Sequence, residues 1–427
     1  MDKYTHSDIN ITPFGGLNPI YRAMNDKCLA DFFNTALGSR NVHATYSYAD
    51  IVYALLGNVL TNGSVISDFK HLKEIYHGQE FDKIPSHDTF EYVCQELKTD
   101  NIIITAKSGI KHEFNYCDKM NATLLALAVK TGQLKAGQNN YTLDIDNVIL
   151  ENEKQDARYT FKKMKGYHPI LGFIGRLPVH IENHNGNTPA AYQQKEMLER
   201  FFTNATKYGI EITNFRADSA TYQKDVIDLV KAHVTNFYIR ADASANFNRE
   251  CGAVKKWNKI IINNVVKEVA SIEYKPFSGE DAYRVVVTRT ERKDKQIDLE
   301  SGTAYKYYGI ITSDREKDDK GVIEFYNQRG DDENSNRYML NDFNLHHLPF
   351  PDLNTNTVYI YLMGMCATLF EWIKIILVKN KVKGIELSMR VKAICFGYIC
   401  VAARFLKHAR KKILKFYSKI KYSKLTI

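Results

Sequence analysis

The sequence predicts an α/β protein in which helices cover a mixed β-sheet, with further helices before and after that sheet. Three observations predict this class. Helical periodicity dominates residues 1–138, strands alternate with helices from residue 139 onward, and a β-rich stretch interrupts the alternation at about 243–312. The chain has 427 residues, 44% of them hydrophobic and 25% charged, which is typical of a globular protein with two or three domains.

Residues 1–138 are predicted to form a helical domain. The run YSYADIVYALLGNVL places Ile51, Leu55 and Val59 on one apolar stripe, and Ser86 is a good N-cap for the helix of SHDTFEYVCQELK. A third helix is predicted in KMNATLLALAVKTG. Several short helices joined by polar turns are compatible with a helix-turn-helix reader of DNA, and equally with any other helical bundle.

The pattern changes after residue 138. The stretches YTLDIDNVIL, YHPILGFIG and LPVHIENH are β-like, and AAYQQKEMLERFFTNATKYG is helical. The strand IEITNFRAD, the helix TYQKDVIDLVKAH and the strand VTNFYIRAD follow. This β-β-β-α-β-α-β order is that of the ribonuclease-H-like fold. We therefore predict a ribonuclease-H-like mixed sheet in residues 139–375, with an inserted antiparallel β subdomain at about 243–312.

Residues 376–427 are predicted to form basic C-terminal helices. Residues 379–427 contain fourteen Lys and Arg and one Glu, a net charge of +13 (14 minus 1), whereas the rest of the chain carries −4 (44 basic, 48 acidic). Such a block typically meets nucleic acid or an anionic membrane surface, or it forms a solvated helix face. The apolar run at 358–378 is long enough to span a bilayer, but its Glu371 and Lys374 favour a buried core helix.

The cysteines indicate a reducing compartment. There are seven, an odd number, and none forms a CxxC pair, which argues against a zinc knuckle or a disulfide framework. The first residues, MDKYTHSDINITPFGG, are polar and do not have the pattern of a signal peptide. A cytoplasmic location is expected.

Aspartates stand at the ends of neighbouring predicted strands. Asp144 and Asp146 share one face of the first strand, Asp218 ends the fourth strand and Asp242 the fifth. Carboxylates that converge at one edge of a sheet suit hard cations such as Mg²⁺. Two such ions about 4 Å apart can activate a water or a 3′-hydroxyl and stabilise the leaving oxygen of a phosphodiester. By strand order the chemical positions are Asp144 or Asp146, and then Asp218, whereas Asp242 is expected to cap a turn.

The stretch YNQRGDDENSNRYML is predicted to be the helix that completes this site. Tyr326, Arg329, Glu333 and Leu340 are separated by three, four and seven residues, so they lie along one helix face. Glu333 is expected to face the metal ions, and Arg329, one turn earlier, to reach a phosphate.

On these residues the chain resembles the DDE transposases of bacterial insertion sequences, transposase DDE domain group 1. Their last catalytic helix carries a Tyr-x2-Arg-x3-Glu-x6-Lys signature, which Tyr326, Arg329 and Glu333 match. The segments LDIDN, KGYHPILGFIG and FRADSA also look like that group, and a β insertion before the Glu is a further family feature. The resemblance runs from about residue 20 into the C-terminal helices and favours Asp146 over Asp144.

The resemblance implies a DNA transposase that binds terminal inverted repeats, cleaves phosphodiesters with two Mg²⁺ ions (or Mn²⁺) and joins the 3′-hydroxyl end to target DNA. It implies double-stranded DNA as partner and a homodimer on that DNA, in the bacterial cytoplasm at the nucleoid, with no membrane and no small-molecule substrate. The implied catalytic and metal-binding residues are Asp146, Asp218 and Glu333. The residues expected to contact DNA are Tyr326, Arg329, Arg337, Arg410, Lys411 and Lys412.

Two departures from the family pattern keep alternatives open. Leu340 stands at the position of the signature Lys, where Arg337, one turn earlier, is the candidate substitute. Asn147 and Val148 stand where a small hydroxyl residue is usual. The alternatives are a catalytically decayed copy that only binds DNA, a nuclease of the same fold without strand transfer, and a membrane-surface protein anchored through 358–427. Trp257, in the β insertion, is expected to pack internally or to stack on an extruded base.

Overall fold

The computed structural model describes residues 10–75, 80–277, 281–299, 301–408 and 411–427; for 331–335, 407–408 and 411–412 it describes only the backbone. Within these ranges the chain forms the following α-helices: α1 Leu17–Asp26, α2 Leu29–Leu37, α3 Tyr48–Leu60, α4 Phe69–Ile75, α5 His87–Leu97, α6 Asp118–Lys130, α7 Gln194–Lys207, α8 Lys224–His233, α9 Ala245–Gly252, α10 Asp319–Asn327, α11 Arg329–Asp342, α12 Leu353–Lys379 and α13 Val391–Ile394.

The strands in the same ranges are β1 Ile102–Thr105, β2 Lys111–Asn115, β3 Tyr141–Asn147, β4 Leu150–Glu151, β5 Arg158–Tyr159, β6 Lys165–Tyr167, β7 Ile170–Ile174, β8 Leu177–His184, β9 Ile212–Ala217, β10 Asn236–Arg240, β11 Asn258–Ile262, β12 Val265–Tyr274, β13 Tyr283–Glu291, β14 Tyr305–Thr312, β15 Ala403–His408 and β16 Lys411–Phe416. Short 3₁₀ helices occur at Ile66–Asp68 and Ser219–Thr221, and a π-helical turn at Cys395–Ile399.

A large mixed sheet confirms the α/β class. It has eleven strands in the order β1-β2-β8-β7-β3-β9-β10-β14-β13-β12-β11. The three strands β3, β9 and β10 are parallel, and their other neighbours are antiparallel. Helix α8 is the crossover from β9 to β10, which is the connection that parallel strands require, and α7 leads from β8 to β9. The apolar residues of α7 and α8 pack against one face of this sheet.

The β-rich stretch at 243–312 is antiparallel, as predicted, but it continues the main sheet instead of standing apart from it. Strand β14 pairs with β10 through Tyr238↔Thr312 and Arg240↔Ile310, so β11–β14 extend the main sheet. The stretch also contains the helix α9, which the sequence reading did not anticipate. The physical reason is that β10 would otherwise end the sheet with an unpaired edge, which β14 covers.

The N-terminal helices form as predicted at three places. Ser47 caps α3 in a capping box with Asp50, Ser86 caps α5 by accepting the Thr89 N–H, and α6 covers the third predicted helix. The hairpin β1–β2 was not predicted. It joins the main sheet because β2 pairs with β8.

The long apolar helix α12 is buried among the N-terminal helices and the sheet. By length and composition it is the one helix in the described part of the chain that could cross a membrane, yet most of its residues are inside the fold. The charges of Glu371 and Lys374 are satisfied there: the Lys374 ammonium lies 2.9 Å from Glu371 and donates to the Leu387 carbonyl at 2.8 Å. The expectation of a buried core helix is therefore confirmed for the fold described here.

The basic C-terminal region is largely not helical, which corrects the prediction for 376–427. After the short α13 and the π-helical turn, β15 and β16 form an antiparallel two-stranded ribbon. The ribbon is anchored at its base by the N-terminal segment, where Thr12 and Ala403 exchange backbone hydrogen bonds of 2.9 Å. Pairing with this distant segment is favoured over the local helical pattern. It provides hydrogen-bond partners for backbone N–H and C=O groups that would lack them at the end of a helix.

Candidate active site

Two aspartates stand at the carboxyl ends of adjacent parallel strands. Strands β3 and β9 pair through Asp144↔Arg216 and Ile145↔Ala217. Asp146 follows directly after Ile145, and Asp218 follows directly after Ala217. Neighbouring strands lie about 4.8 Å apart, and residues at the same level of adjacent strands share a face. Asp146 and Asp218 are therefore placed side by side at one edge, and both are half-buried.

Asp144 is engaged in a buried ion pair. Its two carboxylate oxygens accept hydrogen bonds from the Arg216 guanidinium at 2.6 and 2.7 Å, and both side chains are buried. Arg216 also donates to the Phe325 carbonyl at 2.7 Å, which ties α10 to the sheet. Asp144 therefore has a structural role. Of the two acids on β3, Asp146 lies nearer the solvent-accessible edge.

Asp146 is held by two donors from α11. Its Oδ1 accepts from the Arg329 guanidinium at 2.8 Å, and its Oδ2 accepts from the Asn336 amide at 2.6 Å. Its side chain remains 17% exposed. Asn336 was not among the predicted site residues, although its spacing of seven from Arg329 places both on one helix face.

Asp218 begins the 3₁₀ helix at Ser219–Thr221. Its Oδ1 accepts the Ala220 N–H at 3.0 Å, so it is a helix cap as well as a strand-end carboxylate. The Tyr326 hydroxyl donates to the Ala217 carbonyl at 3.3 Å, which places the phenol next to Asp218. Burial raises the pKa of Tyr326; the charge of Arg329 opposes this, and that of Asp218 adds to it.

The signature helix is interrupted by one residue. Helix α10 ends at Asn327 and α11 begins at Arg329, while Gln328 between them keeps helical angles (φ −60°, ψ −19°). Tyr326 and Arg329 thus reach the same strand edge from consecutive helices. Burial by itself would lower the pKa of Arg329, but the surrounding Asp146, Tyr326 and Asp218 raise it.

The remaining predicted site residues differ in where they lie and in how much of each the structure describes. The backbone of Glu333 is part of α11, one turn after Arg329, but its side chain is outside the described residues. Arg337 is exposed, and Leu340 is half-buried against the core around α12. Arg410 lies outside the described residues, and only the backbone of Lys411 and Lys412, at the start of β16, is described.

The two carboxylates are ligands of the kind that a hard divalent cation prefers. Asp146 and Asp218 offer oxygen ligands at a half-exposed edge, which is what Mg²⁺ accepts. Among the side chains that the structure describes, no three of His, Cys, Asp and Glu are grouped to hold a metal ion. In this arrangement the positive charge beside Asp146 is the Arg329 guanidinium.

The comparison with protein families identifies the chain. The family described as transposase DDE domain group 1 matches residues 44–426, which includes every element of the site. The chain belongs to this transposase family. DDE transposases carry out nuclease and transposition chemistry and generally use a divalent metal ion.

One solved structure similar to this transposase is a piggyBac transposase synaptic complex with hairpin DNA. The alignment covers 92% of this chain and 80% of that chain, with 12% sequence identity and a TM-score of 0.44. No curated protein matches the chain significantly in sequence.

Proposed function

We propose that this protein is an insertion-sequence transposase that binds terminal inverted repeats, cleaves them with Mg²⁺ and joins the freed 3′-hydroxyl to target DNA. One observation carries the proposal. In a member of the DDE family, Asp146 and Asp218 stand side by side at the ends of parallel strands, where Arg329 and Tyr326 meet them. The strand order β8-β7-β3-β9-β10, with its crossover helices, supports a ribonuclease-H-like arrangement for this core.

Asp146, Asp218 and Glu333 are the residues that would hold the metal ions. When bound, a divalent ion supplies Lewis-acid stabilisation of the charge that develops on the phosphodiester oxygens. The chain contributes the rest. Arg329 and Tyr326 orient a phosphate at the strand edge, Asn336 fixes the Asp146 carboxylate, and the Asp144–Arg216 pair keeps α10 against the sheet.

The basic ribbon β15–β16 is the proposed grip on the DNA backbone. The register places Arg404 opposite Lys415 and Lys407 opposite Lys412. Like charges directly opposite one another on a ribbon are destabilising unless an anion neutralises them. A phosphate backbone does so without reading sequence. Arg410, Lys411 and Lys412 belong to this proposed contact, and dimer assembly on two DNA ends is part of the proposal.

The proposal is tested by cleavage of a duplex that carries the element's own end, taken from the DNA flanking the gene. Wild type is expected to cut with Mg²⁺ or Mn²⁺. Asp146→Asn, Asp218→Asn and Glu333→Gln are expected to lose activity by about a hundredfold or more. Asp242→Asn is the matched control, because Asp242 is an exposed aspartate just after the next strand, β10. Cutting by the Asp218 variant at the wild-type rate would exclude the carboxylate site.

Leu340 favours a second candidate, a decayed copy that binds DNA ends without cutting them. Its side chain packs against the core instead of extending into solvent as a Lys would. The same assay separates the two functions. Specific binding by wild type, without cleavage in either metal, would support the decayed copy, and Leu340→Lys would then be expected to restore some cutting.

A further inference from the structure

Two cysteines are in contact where the last helical turn of the chain leads into the basic ribbon. Cys395 begins the π-helical turn and Cys400 directly follows it, and their Sγ atoms are 3.4 Å apart. The Cys400 N–H donates to the Cys395 carbonyl at 2.8 Å, so the turn itself holds the two residues together. A disulfide has an S–S distance of about 2.05 Å, so the two sulfurs need to approach by only about 1.4 Å to form one.

The two thiols differ in their access to solvent. Cys400 is exposed, whereas Cys395 is only 1% exposed. Burial, together with the neighbouring Cys400 sulfur, raises the pKa of Cys395, so this thiol stays protonated and unreactive until Cys400 has been modified. An exposed thiol that reacts first, with a second thiol in contact behind it, is the arrangement that converts a mixed disulfide into an internal one.

This pairing distinguishes Cys395 and Cys400 from the other five cysteines. In the described part of the chain, they are the cysteines whose sulfur atoms are in contact. Of the others, Cys28 is exposed, and the rest are buried or half-buried. Cys28 therefore offers an oxidant an exposed thiol that has no second cysteine sulfur in contact among the described side chains.

The backbone around Cys400 is the base of the basic ribbon. The N-terminal segment pairs with it on both sides of this residue: Gly16 N–H donates to the Ile399 carbonyl at 3.2 Å, and Gly15 N–H donates to the Val401 carbonyl at 2.8 Å. A disulfide at Cys400 would tie this base to the start of the π-helical turn. A covalent restraint of this kind suppresses local opening of the segment that it closes.

We propose that Cys395 and Cys400 form a reversible oxidation site, at which a small-molecule disulfide such as glutathione disulfide introduces a cross-link that restrains the base of the ribbon. The site goes beyond the proposed transposase function and does not depend on it.

The reaction is a pair of thiol–disulfide exchanges. The Cys400 thiolate attacks one sulfur of glutathione disulfide, whose S–S bond breaks to release the first glutathione. The Cys395 thiol then gives up its proton and its sulfur attacks the Cys400 Sγ, which releases the second glutathione. The protein loses two electrons and two protons, and one glutathione disulfide becomes two molecules of glutathione. A thiol reductant reverses both steps.

Mass spectrometry of the full-length protein tests the site. Both cysteines lie in one tryptic peptide, AICFGYICVAAR, at residues 393–404. After treatment with glutathione disulfide and alkylation with N-ethylmaleimide, this peptide should carry neither glutathione nor maleimide and should be lighter than the reduced peptide by two hydrogen atoms. Reduction with dithiothreitol before alkylation should instead give two maleimide groups. Cys28 is the matched control and should keep its glutathione adduct.

Two variants separate the roles of the thiols. Cys395→Ser should leave a stable glutathione adduct on Cys400. Because Cys395 is buried, Cys400→Ser keeps the test usable if that protein does not fold, and its remaining thiol should take up no glutathione. A stable glutathione adduct on Cys400 in wild type would overturn the proposed site. Two maleimide groups on the wild-type peptide after treatment with glutathione disulfide would also overturn it.

Hydrogen exchange measures the restraint on the ribbon base. Oxidation of wild type should slow exchange of the Gly15 and Gly16 amides on the order of tenfold, because these N–H groups bond to the backbone on either side of Cys400. The same treatment should leave exchange in Cys400→Ser unchanged. If the disulfide formed in wild type and these amides exchanged as fast as before, the proposed effect on the ribbon base would be wrong.

Discussion

The guanidinium of Arg329 lies 2.8 Å from the carboxylate of Asp146, although 183 residues separate the two in the sequence. Arg329 is the residue proposed to hold a DNA phosphate, and Asp146 is proposed to hold a metal ion. In the proposed site Arg329 and a metal ion would compete for the Asp146 carboxylate, and Asp146 and a phosphate would compete for the Arg329 guanidinium. DNA that draws Arg329 away from Asp146 would then leave that carboxylate more open to the cation, so the two proposed binding events would be coupled.

Removing Arg329 is expected to tighten metal binding while weakening catalysis. Arg329→Gln removes the competing cation, so Mn²⁺ should bind the DNA-free protein about tenfold more tightly, as measured by titration calorimetry. Cleavage should fall because the phosphate loses its ligand. Arg337→Gln, an exposed arginine of the same helix, is the control and should leave Mn²⁺ affinity unchanged. Unchanged affinity in Arg329→Gln would show that the pair does not compete with the metal.

The two aspartates of β3 are expected to behave in opposite ways. Asp144→Asn leaves the buried Arg216 without its counter-charge, which should lower the free energy of unfolding by about 3 kcal/mol. Asp146→Asn disrupts a pair that is less buried than Asp144–Arg216, so it should destabilise less than Asp144→Asn, yet abolish cleavage. Urea unfolding and the cleavage assay measure the two effects. Equal destabilisation by both substitutions would contradict the assignment of Asp144 to structure.

Acid should destabilise the protein through Glu182 on β8. Burial by itself would raise the pKa of this carboxyl, but the rings of His180 and His184 and the Arg200 guanidinium lower it from 4.5 to about 2. A depressed pKa in the folded state contributes stability that is fully present above about pH 4.5 and is lost as the pH falls towards 2. The loss should be about 3 kcal/mol over that window.

Urea unfolding between pH 6 and pH 2 measures this contribution. The free energy of unfolding of Glu182→Gln should be lower than that of wild type at neutral pH. Below pH 4.5 it should change less with pH than the wild-type value does. Glu199→Gln, which removes an exposed carboxylate of α7, should keep the wild-type slope. If the unfolding free energy of Glu182→Gln fell with pH as steeply as that of wild type, the acid sensitivity would come from other groups.

The basic ribbon should control the salt dependence of DNA binding. Replacing Lys411 and Lys412 by Gln is expected to weaken binding equally for specific and unrelated duplexes. It should also reduce the slope of log affinity against log salt by about 2. The control double variant, Lys383→Gln with Lys392→Gln, removes two exposed cations that precede the ribbon. If binding weakened only for the duplex that carries the element's own end, the ribbon would instead recognise DNA sequence.

Several features of the site were predictable from the sequence. The ribonuclease-H-like order of strands and helices predicted that the aspartates ending β3 and β9 would meet at one edge, and these two strands are neighbours in the sheet. The spacing of Tyr326 and Arg329 predicted a shared helix face, which holds despite the break at Gln328. These predictions succeed because they depend on local periodicity and on the fixed geometry of parallel crossovers.

Tertiary structure decided what periodicity leaves open. Asp144 and Asp146 share one face of a strand, so only the position of Arg216 on the neighbouring strand separates the acid paired with Arg216 from the acid paired with Arg329. The β-rich stretch became part of the main sheet because β14 pairs with β10.

The last fifty residues illustrate the same limit. Their basic and apolar residues are compatible with a helix, and the ribbon forms where Ala403 pairs with Thr12, nearly four hundred residues away in the sequence. The signature motif thus indicated the family, and the order of strands and helices indicated the α/β class and the carboxylate edge. Contacts between distant segments decided the ribbon, the extended sheet and the Arg329–Asp146 ion pair, because those hydrogen bonds depend on partners that no local pattern specifies.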